Sequence, residues 1–273
     1  MWNRRDFLRG CVASVGVLAG SGENVLERIL AAGRDTAHLT PEQLADDEDF
    51  WFEVQQAFTE DRNIINLNNG TIQNGLRIVQ DAVRRHCEFS GNAAWHSMAI
   101  LAKEIESCRR RLASHLGCDP EELVICRGGT EAGQIPIMGL ELKSGDEVVI
   151  TNQDYPRLLG SWKQRAKRDG VVLKIVPLPA PPVPLDKFYE LVEQQVTPRT
   201  KLIHVCHMIH WTGQMAPIRR LTEMAHPRGI EVLVDGAHGF MHVPFKLADL
   251  GCDYYTASLS WLAEGGSIYC LSA

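Results

Sequence analysis

The chain has 273 residues, of which 45% are hydrophobic and 23% charged, and its formal net charge is -6 at pH 7. This composition is typical of a globular protein with a sizeable core, and it excludes an intrinsically disordered chain. The acidic balance and the absence of a block of Lys and Arg argue against binding to a nucleic acid backbone or to an anionic membrane surface.

Two arginines, Arg4 and Arg5, stand before Phe7 and Leu8, and the stretch Gly10–Gly20 is uncharged and apolar. This pattern resembles a twin-arginine export signal. We therefore expect residues 1–33 to form a signal segment that directs the protein to the periplasm, with a cytoplasmic location as the alternative. An apolar stretch of about eleven residues is shorter than the ~20 that a spanning helix needs, so no stable membrane anchor is expected.

The eight cysteines are dispersed along the chain and form no C-x-x-C pair. They stand at positions 11, 87, 108, 118, 126, 206, 252 and 270. This spacing does not match a disulfide framework, and it predicts that the cysteines are buried as small hydrophobic side chains.

The first part of the chain has helical patterns. Residues 36–95 are predicted to form a helical arm and lead-in, with Thr40 as the N-cap before Pro41. Farther on, apolar residues recur at three-to-four-residue multiples between 98 and 116, which predicts a long helix that Gly117 ends.

The residues from 96 to the end predict an α/β domain. Seven short apolar runs predict strands at 123–126, 147–150, 171–177, 202–206, 231–234, 254–257 and 267–271. Several of the gaps, such as 157–169, 185–196 and 218–226, are long enough for a crossover helix. The expected architecture is a doubly wound, mainly parallel, seven-stranded sheet over residues 96–273.

A glycine-rich turn follows the first predicted strand. It reads Arg127-Gly128-Gly129-Thr130 and leads into a helix, so its backbone amides could bind an anion. The turn is neither G-x-G-x-x-G nor a Walker loop, which argues against a dinucleotide or nucleoside triphosphate site. The structural alternative is a plain glycine turn with Thr130 as an ordinary N-cap.

Asp235 stands at the carboxyl end of a predicted buried strand, where ligands bind in open α/β sheets. A carboxylate there could pair with a pyridinium nitrogen, hold a metal ion or cap the next helix. The residues alone leave these three roles open.

Taken in order, several motifs resemble the large domain of the aminotransferase class V family, in particular its isopenicillin N epimerase-like branch. They are Arg127–Ala132, Thr151–Pro156, Thr212–Gln214, Asp235–His238 and Tyr255–Ser258. The resemblance implies a pyridoxal phosphate cofactor, an amino acid or amine as the small-molecule substrate, and a homodimer.

The resemblance also implies a role for individual residues. The backbone amides of Gly129 and Thr130 would hold the cofactor phosphate, and the hydroxyl of Ser258 would add a further contact. Tyr155 would stack on the pyridine ring. Asp235 would keep the ring nitrogen protonated.

Two histidines belong to the same implied site. His238 would flank the ring near its phenolic oxygen. His210 is a departure, since it falls near a position where relatives often carry an asparagine that reaches that oxygen.

A larger departure concerns the lysine that captures the cofactor covalently. The family reads Ser-Leu-His-Lys-Trp-Leu, whereas this chain reads Ser-Leu-Ser-Trp-Leu from Ser258, with no lysine near Ser260. The sequence also stops after the last expected strand, so the family's small C-terminal domain is expected to be absent. We therefore expect an inactive protein, either a non-catalytic cofactor- or anion-binding relative or a truncated product, and a working enzyme is the less favoured alternative.

A metal-dependent hydrolase is a further alternative, because a cluster of potential ligands precedes Asp235. It comprises His204, Cys206, His207 and His210, to which Asp235 and His238 could be added. If the segment is a strand, residues 204, 206 and 210 share one face and His207 points to the other, so only a subset could bind one ion.

Overall fold

The structure is a computed structural model, and it describes residues 23–61, 63–68, 74–259 and 267–271. The described chain divides into two units between Glu104 and Ile105. Most of the predicted export segment, residues 1–22, lies outside the described residues, and its remainder belongs to a helix that runs to Asp35.

The first unit is helical. Its helices are α1 Glu23–Asp35, α2 Pro41–Ala45, α3 Glu48–Gln56, α4 Arg77–Asn92 and the start of α5 Ala94–Leu116. The Thr40 hydroxyl accepts from the Gln43 backbone N–H at 3.2 Å, and the Gln43 side chain accepts from the Thr40 N–H at 2.9 Å. This reciprocal pair confirms the predicted N-cap. No helix in the described part of the chain is long and apolar enough to cross a membrane.

The second unit is built on a seven-stranded sheet. The strands are β1 Leu123–Cys126, β2 Glu147–Thr151, β3 Val172–Val176, β4 Thr200–Cys206, β5 Glu231–Asp235, β6 Tyr254–Ser258 and β7 Ser267–Leu271. Their order across the sheet is β1-β7-β6-β5-β4-β2-β3. Only β7 is antiparallel to its neighbours, which confirms the predicted mainly parallel α/β fold.

Helices connect the strands. They are α6 Gly129–Gly139, α7 Pro156–Asp169, α8 Leu185–Glu193, α9 Ile218–Ala225 and α10 Leu247–Leu250. A core forms where Ile137 of α6 and Trp162 of α7 pack with Ile150, Leu202 and Leu233 of the sheet. Each large apolar side chain buried there contributes about 1.5–3 kcal/mol to stability.

Several predicted strand boundaries were wrong by one or two residues: β3 is one residue shorter at each end, and four ends that carry polar side chains extend further, among them the end of β2 at Thr151. β4 begins at Thr200, β5 continues to Asp235, and β6 continues to Ser258. Polarity suggested that the strands ended earlier, but the sheet pairing continues through these residues, with Asp235 opposite both Cys206 and Thr256. Two candidate site residues, Asp235 and Ser258, are therefore fixed by strand pairing and do not lie in loops.

The prediction of buried cysteines was only partly correct. Cys126, Cys206 and Cys252 are buried and form no disulfide with another described cysteine, whereas Cys87 is exposed and Cys108 and Cys118 are intermediate. Cys87 and Cys108 lie on long amphipathic helices, and the thiol side chain is small enough to be tolerated outside the core. Cys11 and the side chain of Cys270 lie outside the described part of the structure.

Candidate functional site

The candidate residues follow strands that end at the same edge of the sheet. β1 and β6 both run antiparallel to β7, and β5, β4 and β2 run parallel to β6. The residues at this carboxyl edge are Gly129 and Thr130 after β1, Ser258 at the end of β6, Asp235 and His238 at and after β5, His210 after β4, and Tyr155 after β2. This is the edge where open α/β sheets bind ligands.

The glycine-rich turn opens helix α6. Its N-cap is Gly128, and no side chain of the described residues caps the helix there. The first N–H groups of a helix have no partner within the helix, so this end offers donors to an anion. A Cβ placed on Gly128 would have no neighbour within 4 Å among the described residues, so there is free space beside this glycine.

Arg127 and Glu131 form an ion pair beside this turn. The Glu131 carboxylate accepts from the Arg127 backbone N–H at 2.7 Å and from its guanidinium at 2.6 Å. These hydrogen bonds lower the pKa of Glu131, so its charge is balanced by Arg127. The negative side chain in the first helical turn is thereby partly neutralised.

Asp235 is a buried carboxylate, only 6% exposed. Its Oδ1 accepts from the Ala237 N–H at 3.1 Å, and its Oδ2 lies 3.9 Å from Sγ of Cys206. Among the described residues, no Lys, Arg or His side chain forms an ion pair with it. Burial raises the pKa of Asp235 to about 6. A cationic group brought by a ligand would relieve this cost.

Two glycines shape the turn that follows Asp235. A Cβ on Gly236 would lie 2.0 Å from the Tyr255 hydroxyl, and a Cβ on Gly239 would lie 2.5 Å from Nδ1 of His207. Beneath the turn, His207 Nδ1 and the Tyr255 hydroxyl are hydrogen-bonded at 3.1 Å. This buried pair supports the backbone that places Asp235 and His238.

Four aromatic side chains form a cluster at the edge, which we call the aromatic cluster: Tyr155, His210, Trp211 and His238. The His210 ring lies edge-on to Tyr155 at 5.8 Å and to Trp211 at 5.3 Å. It stacks with His238 at a centroid distance of 6.1 Å. His210, the residue that departs from the family pattern, is therefore the centre of this cluster.

The imidazoles of the cluster are poor cations. Burial, followed by the neighbouring imidazoles of His242 and His210, lowers the pKa of His238 to about 4. Burial also lowers the pKa of His210. At neutral pH these rings are uncharged, and each can both donate and accept one hydrogen bond.

The residues considered as metal ligands lie in separate surroundings. His204 Nδ1 accepts from Nε1 of Trp162 at 2.6 Å in the core, His207 pairs with Tyr255, and His210 belongs to the aromatic cluster. β4 ends at Cys206, so the assumption that His210 continues the strand face of His204 was wrong. Within the described ranges, no three His, Cys, Asp or Glu side chains are arranged to hold a metal ion.

Asp154 is a site residue that the sequence reasoning missed. It is 2% exposed, and its carboxylate accepts from the Thr151 N–H at 2.6 Å and the Cys206 N–H at 3.0 Å. Burial raises the pKa of Asp154 to about 7. The sequence feature that could have revealed it was an acidic residue three positions after the end of a buried strand.

Three side-chain amides hold the stretch 177–184, which is rich in proline, near the same edge. Asn152 exchanges hydrogen bonds with the backbone of Leu178, and Gln153 donates to the carbonyls of Leu178 and Pro179. Gln214 donates to the Val183 carbonyl at 2.6 Å. These contacts fix the two loops that precede Tyr155 and follow His210.

The structure brings Tyr155, His210 and His238 into contact, and strand order places the other candidates along the same edge. The segment in which the family carries its lysine, residues 260–266, lies outside the described residues. Lys246, the nearest lysine before it in the sequence, donates its Nζ to the carbonyls of Ser114 and His115 at the end of α5. Its amine is thus occupied in capping a helix.

Comparisons with known proteins identify the family of the chain. The model of the family described as aminotransferase class-V matches residues 64–260. The isopenicillin N epimerase of Streptomyces clavuligerus is 28% identical over 212 residues, which cover 76% of this chain and 52% of the relative. A probable cysteine desulfurase of Pseudomonas aeruginosa is 34% identical over 160 residues, which cover 57% of this chain and 39% of the relative.

A solved structure shows the same fold. It is a lysine-to-alanine mutant of C-DES with glycine covalently linked to its PLP cofactor, and it superposes with a TM-score of 0.71 at 21% identity. The match covers 79% of this chain and 60% of that chain. The chain spans about half the length of the epimerase that it matches. Because the family model covers most of the sequence, the chain belongs to the aminotransferase class V family, whose cofactor is pyridoxal phosphate.

Proposed function

We propose that this chain binds pyridoxal phosphate or pyridoxamine phosphate noncovalently at the carboxyl edge of its sheet, and that the chain alone does not turn over an amino acid. The observation that carries the proposal is Asp235, a buried carboxylate at a strand end with no cation from the described residues beside it. A protonated ring nitrogen is the kind of group that such a carboxylate accepts.

The other residues fit the remaining parts of the cofactor. The open N-terminus of α6, with Gly129 and Thr130, suits the phosphate, and the Ser258 hydroxyl would add a donor from the end of β6. Tyr155, exposed by 37%, offers a ring face for stacking. When bound, the cofactor supplies an electron sink for bonds at the α-carbon of an amino acid.

The chain's own groups would orient this ligand and not capture it. The neutral imidazoles of His210 and His238 can each donate or accept a hydrogen bond at the ring oxygen. No amine is present between Ser258 and Trp261 to form a covalent bond or to move a proton. The C-DES mutant, which lost a lysine and still carries its cofactor with glycine linked, supports retention of the cofactor without such an amine.

The substrate class of the proposal comes from the relatives. Isopenicillin N epimerase and cysteine desulfurase are named for isopenicillin N and for cysteine, so we propose an amino acid or amine as the small-molecule ligand. We also propose a second copy of the chain as its partner, to be tested by sedimentation with and without pyridoxal phosphate. A concentration-independent monomer in both conditions would contradict the dimer.

A titration with two ligands tests the cofactor proposal. The full chain is titrated with pyridoxal phosphate and with pyridoxamine phosphate, then treated with borohydride, digested and examined by mass spectrometry. We expect one molecule of either ligand to bind per chain, and no lysine to carry a stoichiometric pyridoxyl group. Absence of binding by both ligands would refute the proposal.

Two variants make this titration specific. Asp235→Asn should weaken both ligands, whereas Asp253→Asn should leave both unchanged, because Asp253 accepts from the Val232 N–H at the opposite end of β5. Stoichiometric labelling of one lysine, accompanied by turnover of an amino acid, would show that the chain is a working enzyme.

We further propose export through the twin-arginine pathway, on the basis of Arg4 and Arg5 and the apolar stretch that follows them. In a host with that pathway, the double variant Arg4→Lys with Arg5→Lys should keep the protein in the cytoplasm. Arg9→Lys in the same segment is the matched control and should not change delivery. Equal periplasmic delivery of the double variant and the wild type would refute the export proposal.

A further inference from the structure

A buried group of three side chains lies where three adjacent strands end. Asp154 follows β2, Cys206 is the last residue of β4, and Asp235 is the last residue of β5. Each is less than a tenth exposed. The sequence pattern gave Asp154 no role of its own and considered Cys206 only as a metal ligand, and the family resemblance assigned a role to neither residue.

Asp154 joins two strands through their backbones. One carboxylate oxygen accepts from the Thr151 N–H of β2, and the other accepts from the Cys206 N–H of β4. A carboxylate with a backbone donor on each oxygen holds both strand ends in one position. Because Cys206 lies opposite Asp235 in the pairing of β4 with β5, Asp154 also fixes the position of the Cys206 side chain relative to Asp235.

The thiol of Cys206 lies beside the carboxylate of Asp235. Sγ lies 3.9 Å from Oδ2 of Asp235, and burial, followed by the negative charges of Asp235 and Asp154, raises the pKa of Cys206 well above its usual value. The thiol therefore keeps its proton and acts as a weak donor. A donor on Oδ2 favours the charged form of Asp235.

The other titratable groups on neighbouring elements point elsewhere. His204 on β4 is bound to Trp162, and His207 is bound to Tyr255 on β6. Thr256 of β6, which pairs with Asp235, carries no charge. Within the described residues, no cationic side chain faces either carboxylate, so Cys206 is the titratable side chain between them.

We infer that Asp154 and Cys206 are positioning residues for Asp235: Asp154 fixes the end of β4, and the Cys206 thiol donates to Oδ2, which keeps Asp235 charged and oriented toward the ring nitrogen of the cofactor. The inference deepens the proposed function and rests on it for the identity of the ligand. Its structural part, the effect of the thiol on Asp235, holds without any ligand.

The ligand-free protein provides the first test. The carboxyl carbon of Asp235 is followed by NMR from pH 4 to 8 in protein that carries carbon-13 in its aspartate carboxyl groups. Cys206→Ala should raise the pKa of Asp235 by about half a unit or more, the scale of one lost hydrogen bond. Cys206→Ser keeps a donor and should leave that pKa near the wild-type value, while Cys252→Ala is the control at a buried cysteine away from the site.

Ligand binding provides the second test. Cys206→Ala should weaken pyridoxamine phosphate about threefold to tenfold at pH 6, and the difference from wild type should narrow at pH 8, where Asp235 is ionised in both proteins. Asp154→Asn should weaken binding at both pH values, because it releases the strand end. Should Cys206→Ala fail to fold, Cys206→Val replaces it as a variant that also lacks the donor.

The outcomes separate the two proposals. If the wild type binds neither ligand, the proposed function fails, and the NMR titration still decides the effect of Cys206 on Asp235. An unchanged Asp235 pKa in Cys206→Ala overturns the inference, as does equal ligand affinity of Cys206→Ala and wild type at pH 6. Loss of affinity in Cys206→Ala with recovery in Cys206→Ser supports it.

Discussion

The buried carboxylates at the two edges of the sheet have pKa values that are shifted in opposite directions. At the amino edge, Glu147 of β2 is 1% exposed and accepts from the Thr197 hydroxyl at 2.6 Å and from the Arg199 guanidinium at 2.7 Å. Hydrogen bonding from Thr197, and then from Arg199, lowers the pKa of Glu147. At the carboxyl edge, burial raises the pKa values of Asp154 and Asp235.

This difference separates a structural carboxylate from one that awaits a ligand. When the cation that compensates a buried carboxylate belongs to the same chain, folding alone brings the two charges together. Asp235 has two weak partners, a backbone N–H and a thiol, and folding leaves its charge uncompensated. The chain retains a destabilising group at the place where we propose that a protonated ring binds, which is the pattern expected of a functional site.

The largest expected effect is on the pH dependence of stability. Asp154 and Asp235 hold their protons in the folded state up to about pH 7 and about pH 6, whereas the unfolded chain releases them near pH 4. Their contribution to the free energy of unfolding therefore falls as the pH rises through this window. Relative to wild type, Asp154→Asn and Asp235→Asn should each gain roughly 2–4 kcal/mol between pH 4 and 7.

The difference between variant and wild type is the quantity to measure, by urea denaturation at each pH. His204 and His207 are buried and neutral, with pKa values lowered to about 3 and about 4. Because the unfolded chain binds protons at these histidines at a higher pH than the folded chain does, they make the free energy of unfolding rise with pH over part of the same window. Subtraction cancels their contribution. A difference that stays flat from pH 4 to 7 would show that the carboxyl-edge acids are ionised as readily as exposed ones.

A smaller effect should distinguish the two edges at pH 7. Glu147→Gln should lower the free energy of unfolding by about 1–3 kcal/mol, because it breaks the contact with Arg199 and leaves a buried amide with an imperfect partner. Asp235→Asn should leave that free energy unchanged or raise it. In cofactor binding the order reverses, with about a tenfold to hundredfold loss for Asp235→Asn and none for Glu147→Gln.

Equal changes in ligand affinity for Glu147→Gln and Asp235→Asn would contradict the proposed difference between the two edges. If Glu147→Gln weakens the ligand as much as Asp235→Asn does, the loss reflects general destabilisation. Thermal unfolding of each variant with and without ligand separates these cases, since only a specific loss removes the shift in midpoint that ligand causes.

Much of the fold was predictable because local pattern and tertiary structure agree. β1 and β7 match their predicted bounds to the residue, since each is a short apolar run with clear ends. Helix α5 begins at Ala94, four residues before its predicted start, because Ala94–Ser97 lack apolar periodicity but continue the helical backbone. The alternation of strands and helices was enough to indicate a mainly parallel sheet.

Only those site residues that belong to recognisable sequence motifs could be predicted. Motif order identified the residues at the carboxyl edge, and parallel strands brought them together. Asp154 and Cys206 are 52 positions apart, and their contact depends on how β4 pairs with its neighbours, which no local pattern encodes. The central place of His210 was missed for a similar reason, because it depends on where β4 ends.

The smallest expected effect compares two threonines at helix N-termini. Thr40 caps α2, whereas α6 has Gly128 as its N-cap with no side-chain cap from the described residues, and Thr130 lies in its first turn. If the first is structural and the second serves a ligand, their alanine variants should differ in what they change. Thr40→Ala should lower the free energy of unfolding by about 1 kcal/mol and leave ligand affinity unchanged.

Thr130→Ala should do the reverse. It should leave the free energy of unfolding of the ligand-free protein within about 0.5 kcal/mol of wild type. It should weaken pyridoxamine phosphate by about 1 kcal/mol, because alanine keeps the backbone N–H but removes the hydroxyl that we expect to donate to the phosphate as well. Pyridoxamine, which lacks the phosphate, is the discriminating ligand, because its weaker binding should be the same in Thr130→Ala and wild type. An equal loss for both ligands would place Thr130 away from the phosphate, and a loss of stability in place of affinity would make it an ordinary helix-capping residue.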